Sequence, residues 1–179
     1  MSGELAIVAP KALVVMGVSG SGKTTIAALL AQRLGWQFQD ADWFHPRANV
    51  EKMHSGLPLT DEDRWPWLAA IAKWLDERIT SGEPGVVGCS ALKRAYRDML
   101  IGDQRRGKVG LVFLDGSKEL IGRRLAARHD HFMPASLLDS QFATLERPGP
   151  DEQPIAVSID AMPNEIVDAI VERLGPAKA

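Results

Sequence analysis

Short apolar runs alternate along the chain with longer segments whose apolar residues recur every three or four positions. The first pattern predicts strands and the second predicts amphipathic helices. Residues 12–16 (ALVVM) form a β-rich run that ends in glycines. Residues 23–34 follow as a helix, with Ile26, Leu30 and Leu34 on one face and Gly35 as its stop. Residues 36–40 read as a second strand. Residues 44–64 are polar and irregular, with His45-Pro46 and Leu57-Pro58 as breakers. Thr60-Asp61-Glu62-Asp63 is a capping box that opens a helix, with Pro66 in its first turn. Leu68, Ile71, Leu75 and Ile79 give that helix its apolar stripe, and Gly82 ends it.

Residues 85–89 read as a third strand and 91–101 as a helix. The fourth strand, 109–114 (VGLVFL), is a continuous apolar run of the kind found in parallel sheets covered on both faces. A helix at 118–128 precedes a polar, proline-punctuated stretch, 129–154, around a short helical piece at 137–145. The fifth strand is 155–159 and the last helix 164–174, stopped by Gly175-Pro176. Strands separated by helices predict an α/β fold, a three-layer arrangement with a five-stranded parallel sheet between helices.

At 179 residues the chain is expected to be a single domain, 1–179. Its 21 basic and 23 acidic residues give a net charge of −2 and no basic stripe, so no nucleic-acid partner is expected. No apolar run approaches the roughly 18 residues of a membrane span. Residues 1–11 carry neither a basic start nor a long apolar stretch and read as a loose arm, not a secretory leader. The single cysteine, Cys89, cannot form an internal disulfide. That suits a reducing compartment, and the expected location is cytoplasmic.

The strongest chemical signal is Gly17-Val18-Ser19-Gly20-Ser21-Gly22-Lys23-Thr24, which fits GxxxxGK[ST] between a predicted strand and a predicted helix. Its glycines let backbone N–H groups converge on phosphate, and the following helix N-terminus favours the same charge. Lys23 supplies a cation for the β- and γ-phosphates, and Thr24 offers Mg²⁺ a hydroxyl. With the adjacent Thr25, these residues form the expected nucleotide-binding set. Neither a DxxG nor an NKxD string occurs, which argues against a GTP-driven switch.

Asp40 and Asp42 sit at the end of the second strand, where ligands of open α/β sheets bind. Strand alternation would put both on one side. One carboxylate would orient a Mg²⁺ water and the other accept a proton from a substrate hydroxyl. Turn-forming aspartates are the competing reading. Asp115 is a rival metal carboxylate, because four largely apolar residues precede it.

Longer motifs narrow the choice. They are Asp42-Trp43-Phe44-His45-Pro46-Arg47, Glu51-Lys52-Met53, and Pro58-Leu59-Thr60-Asp61-Glu62-Asp63-Arg64-Trp65-Pro66-Trp67-Leu68. Further on stand Cys89-Ser90-Ala91-Leu92-Lys93, Tyr96-Arg97-Asp98, His131-Phe132-Met133, Gln141-Phe142, Leu145-Glu146 and Pro148-Gly149. In these the chain resembles the small P-loop gluconate kinases, relatives of shikimate and nucleoside monophosphate kinases. The resemblance implies ATP- and Mg²⁺-dependent phosphorylation of D-gluconate at its 6-hydroxyl. It also implies strand order 2-3-1-4-5, a small helical lid at about 129–149, and a homodimer. By the same similarity Asp42 is the base, Asp40 supports the metal beside Thr24, and Asp115 is demoted.

A sugar acid needs cations for its carboxylate and hydrogen-bonding groups for its hydroxyls. His45, Lys52, Arg64, Ser90, Lys93 and Arg97 are the candidates, with Lys93 and Arg97 four apart on one expected helix face. Arg64 has a helix-start ion pair as its alternative, His45 a structural role, and Lys93 with Arg97 a solvated face. Arg124 and Arg128, also four apart, are expected to contact nucleotide, and Arg124 joins Lys23 and Asp42 as catalytic. The alternatives to gluconate are another small polyhydroxy acid, such as a related sugar acid or shikimate. A non-catalytic nucleotide sensor is a different class, against which Lys23, Thr24 and Asp42 together speak.

Overall fold

The computed structural model of the chain describes residues 9–128 and 135–175. Five strands, β1 (Ala12–Met16), β2 (Gln37–Asp40), β3 (Gly85–Gly88), β4 (Val109–Asp115) and β5 (Ile155–Ser158), form one parallel sheet ordered β2-β3-β1-β4-β5. Helices α1 (Lys23–Leu34), α2 (Arg47–His54), α3 (Asp61–Ser81), α4 (Arg94–Leu100), α5 (Lys118–Ala126), α6 (Ala135–Thr144) and α7 (Pro163–Leu174) surround it. Every residue of β1 is fully buried. Its period-two alternation therefore serves two cores. Leu13 and Val15 join Ile26 and Leu30 of α1, Ile121 of α5 and Ile170 of α7. Ala12, Val14 and Met16 join Leu68, Ile71 and Leu75 of α3 and Leu100 of α4. Each large aliphatic side chain so buried is worth about 1.5–3 kcal/mol.

The irregular stretch expected at 44–64 contains α2, which follows Pro46 and is anchored by the buried Asn49. Pro66 lies inside α3, beyond its first turn. The helix expected from 91 starts only at Arg94, for a reason that lies in long-range bonding. The Leu92 carbonyl accepts the Glu146 N–H, and the carbonyls of Ala91 and Leu92 accept from the Arg97 guanidinium. Both lone pairs of the Leu92 carbonyl are thus engaged outside a helical ladder, and Ala91 adopts a φ of 45°, outside the right-handed helical region. The helix expected to reach 128 ends at Ala126, so Arg128 lies past it. Lys11 is not loose, because its N–H donates to the Lys108 carbonyl at 2.7 Å. Residues 1–8 and 129–134, including His131-Phe132-Met133, lie outside the described set. The rear of the expected lid segment is tied down, with Glu146 bonded to Leu92 and Arg94 and Arg147 paired with Asp115. Among the described residues no helix is long and apolar enough to cross a membrane.

The capping box of α3 forms as expected, Thr60 and Asp63 bonding reciprocally at 2.9 and 3.2 Å. Lys52 of α2 also donates to both Asp63 oxygens, at 2.8 and 3.0 Å. The Lys52 ammonium first, then the Thr60 amide, hold the Asp63 carboxyl at about 2, below its ordinary 3.8. The folded state thus favours the carboxylate. Its contribution to stability is complete above 3.8 and is lost as pH falls toward about 2. Asp63→Asn is expected to make the melting temperature fall less steeply across that window. An unchanged slope would show that the pair adds nothing.

Candidate active site

The loop between β1 and α1 carries the phosphate-binding residues. Gly20 and Gly22 take φ of +83° and +93°, which glycine adopts without penalty. A Cβ on Gly17 would lie 2.6 Å from Ser21 Oγ, so the curl closes only on glycine. Ser21 Oγ is buried inside the loop and has no hydrogen-bond partner among the described residues. The Lys23 ammonium is largely enclosed and donates to the Val18 carbonyl at 3.2 Å. Burial holds its pKa below the ordinary value, opposed by Cys89 and by the Asp42 and Asp40 carboxylates. Burial pushes the Cys89 thiol up to about 12, so at neutral pH the thiol is uncharged and the support for the Lys23 charge comes from the Asp42 and Asp40 carboxylates. An enclosed cation of this kind suits an anionic ligand.

Thr24 Oγ1 donates to Asp40 Oδ2 at 3.0 Å. Hydroxyl and carboxylate side by side are the hard oxygen donors that suit Mg²⁺. Strand β2 stops at Asp40, whose other oxygen accepts the Asp42 N–H at 2.9 Å and caps a short 3-10 turn, Ala41–Phe44. Asp42 is therefore positioned by that turn and not by strand alternation. Its side chain is 87% exposed. Asp40, Asp42, Lys23, Thr24 and Ser90 nonetheless line one cavity of about 180 Å³ with Trp67 and Gln141. The rival Asp115 is engaged by Arg147 through both oxygens. A second hollow, of about 230 Å³, opens at the opposite ends of β4 and β5. Its cations Arg94, Arg97, Arg106 and Arg173 are already bonded to Asp151, Glu152, Asp103 and the Ala156 carbonyl, so it is not the candidate site.

A family profile described as an AAA domain matches residues 13–148. The gluconokinase of Gluconobacter oxydans (strain 621H) is 53% identical over 162 residues, covering 90% of each chain. The chain belongs to the gluconokinase family. The thermosensitive gluconokinase of Escherichia coli (strain K12) is 46% identical, over 85% of this chain and 80% of that protein. A solved gluconokinase from Sinorhizobium meliloti 1021 superposes with a TM-score of 0.82 at 46% identity, covering 93% of this chain and 92% of that one. A shikimate kinase from Bacteroides thetaiotaomicron, at 19% identity and a TM-score of 0.66, shares the fold.

In this gluconokinase-family chain the remaining expected site residues separate into distinct groups. Ser90 faces the cavity, and the His45 side chain is enclosed beside it, stacked on Trp67. Lys93 caps α4 instead of lying on its face, and its ammonium lies 3.2 Å from both Asp61 oxygens. Tyr96 donates to the same carboxylate, and the two bonds, Tyr96 first, hold the Asp61 pKa down. Arg64 donates to the Leu59 carbonyl at 2.7 Å and lies over the Tyr96 ring. Among the described residues no helix-start ion pair involves it. Lys52 is committed to Asp63.

Arg97 departs from the sequence reading. It is 2% exposed, pairs with Glu152 at 2.7 Å and turns away from the cavity. The helical-face argument fails because Lys93 precedes the helix. Arg124 donates to the Ile159 carbonyl, and Arg128 does not share its helix face, since α5 has already ended.

Gln141 of α6 was not among the candidates drawn from chemistry. Its side-chain carbonyl accepts the Ser19 N–H at 2.9 Å, linking α6 to the phosphate loop. Only its place in the Gln141-Phe142 motif marked it. Asn49, discussed below, carried no signal beyond its neighbours.

Proposed function

We propose that the chain transfers the γ-phosphoryl group of ATP to the 6-hydroxyl of D-gluconate, giving 6-phosphogluconate and ADP. The observation that carries this reading is the convergence of Lys23, Thr24, Asp40, Asp42 and Ser90 on one cavity in a chain of this family. The loop amides and Lys23 would seat the triphosphate. Thr24 and Asp40 would hold Mg²⁺, which when bound offsets charge on the phosphates. Asp42 would accept the proton of the 6-hydroxyl as its oxygen bonds to the γ-phosphorus and the bond to the β–γ bridging oxygen breaks. Arg64 and Lys93, both over Tyr96, are the cations we assign to the gluconate carboxylate. Arg124 and Arg128 remain proposed nucleotide contacts. Arg97 is withdrawn.

ADP release measured across sugar acids, free sugars, shikimate and nucleoside monophosphates tests the substrate. Turnover is expected with D-gluconate and Mg²⁺, and a strong preference for shikimate or a nucleotide would overturn the assignment. A homodimer and a cytoplasmic location complete the proposal, with sedimentation and cell fractionation as their checks.

A further inference from the structure

The surroundings of His45 are more specific than a packing role requires. Its side chain is 5% exposed. The imidazole lies against the Trp67 ring, 4.4 Å between centroids and 10° from parallel. Trp67 is itself fixed by donating its indole N–H to the Ala41 carbonyl at 2.7 Å. The ring plane of His45 is thus clamped.

Its proton is clamped too. Asn49 is 3% exposed, and its Nδ2 lies 2.8 Å from the Asp63 carbonyl oxygen and 3.3 Å from His45 Nδ1. A carbonyl oxygen accepts and never donates. The opposite amide orientation would put two oxygens together at that distance, so the Asn49 nitrogen faces Asp63. Its two hydrogens then meet two acceptors, and His45 Nδ1 must be one of them. The ring proton is left on Nε2. That atom lies 3.9 Å from Asp42 Oδ1. Burial, its largest influence, together with Arg64 keeps His45 below its ordinary pKa against the pull of Asp42, in keeping with a neutral ring.

We propose that Asn49 and His45 form a positioning relay for the base, in which the His45 Nε2–H holds one oxygen of Asp42 and leaves the other for the substrate hydroxyl. The gap is about 1 Å longer than a hydrogen bond, and the exposed Asp42 side chain has room to close it. A carboxylate held by a single donor keeps its charge but loses its rotational freedom. Freedom lost before the reaction need not be lost during it. This inference rests on the reading of Asp42 as base.

The two amide side chains separate positioning from packing. The amide nitrogen of glutamine reaches as far as imidazole Nε2, whereas that of asparagine reaches only as far as Nδ1. His45→Asn is expected to lower kcat on the order of tenfold or more, a part of the about 10²–10⁴ that a positioned base supplies. KM for D-gluconate should stay near its original value, and His45→Gln should recover most of the loss. Combined with Asp42→Asn, the His45→Asn change should add little further loss, because both remove one function.

Equal kcat losses in both variants would reduce His45 to packing. A raised KM with kcat kept would make it a substrate contact. Either result overturns the relay. If Asp42→Asn is fully active, the reading of Asp42 fails. If Asp42→Asn is inactive while His45→Asn keeps its kcat, only the relay fails. Should His45→Asn not fold, ¹⁵N correlation of the unaltered protein's histidines decides. A proton on His45 Nε2 supports the relay and one on Nδ1 overturns it.

Discussion

Asp42→Asn is expected to lower turnover by about two orders of magnitude or more, with ATP affinity unchanged. The substitution keeps the shape of the side chain and removes its capacity to take a proton. Asp42 contributes its backbone N–H, not its carboxylate, to the turn that Asp40 caps, so the turn survives. The phosphate loop does not use Asp42 for its shape either, since Lys23 bonds to Val18 within the loop. One small effect on the loop is built in. Asp42 is among the carboxylates that support the Lys23 charge, so the amide lowers the Lys23 pKa slightly further. Coupled ADP release gives kcat, and calorimetric titration with a non-hydrolysable ATP analogue gives the affinity. Turnover within a few-fold of the unaltered protein would remove Asp42 from the chemistry. Loss of nucleotide binding would assign it a structural duty instead.

Arg97→Met is expected to cost about 3–5 kcal/mol of stability, the penalty usual for breaking a buried ion pair by removing one partner. Methionine fills much of the same space but has no donors. Glu152, its side chain 10% exposed, would keep its charge and lose its counter-ion. The Ala91 and Leu92 carbonyls would lose their guanidinium partners at 2.9 and 3.1 Å. For a chain of this size the loss corresponds to a fall of roughly 10 °C or more in melting temperature. Assayed well below that transition, KM for D-gluconate should be unchanged. A raised KM with an unshifted melting temperature would return Arg97 to the cleft where the sequence had placed it.

That misplacement shows what a single chain reveals to the eye and what it hides. Strand β1 and helix α1 were legible to the residue, because burial on both faces demands an unbroken apolar run and the loop's glycines punctuate it. The α3 start was legible because both capping partners lie within one turn. Within the candidate site, Lys23 and Thr24 were marked by local spacing and Asp40 by its place at the end of the second strand. Arg97, by contrast, takes its meaning from Glu152, and Ser19 meets Gln141 across most of the chain. Asn49 is informative only once Asp63 and His45 flank it. Helix α2 stayed hidden in a polar segment because few of its residues are apolar and its anchor is a buried amide. Side chains whose partners are remote carry no periodic signature, and Gln141 and Trp67 entered the candidate pocket in that way.

The central position of β1 has a consequence for how the molecule is made. Ala12 pairs with Gly85 on one side and with Val109 on the other. Neighbouring strands all run parallel, so no hairpin lets part of the sheet zip up locally as the polypeptide leaves the ribosome. A β-rich apolar ribbon must wait for residue 85 to emerge before one edge is satisfied, and for residue 109 before the other is. Sequence-distant pairing of this sort slows folding and leaves sticky intermediates exposed. The synthesis of this enzyme is therefore the moment at which it most needs protection.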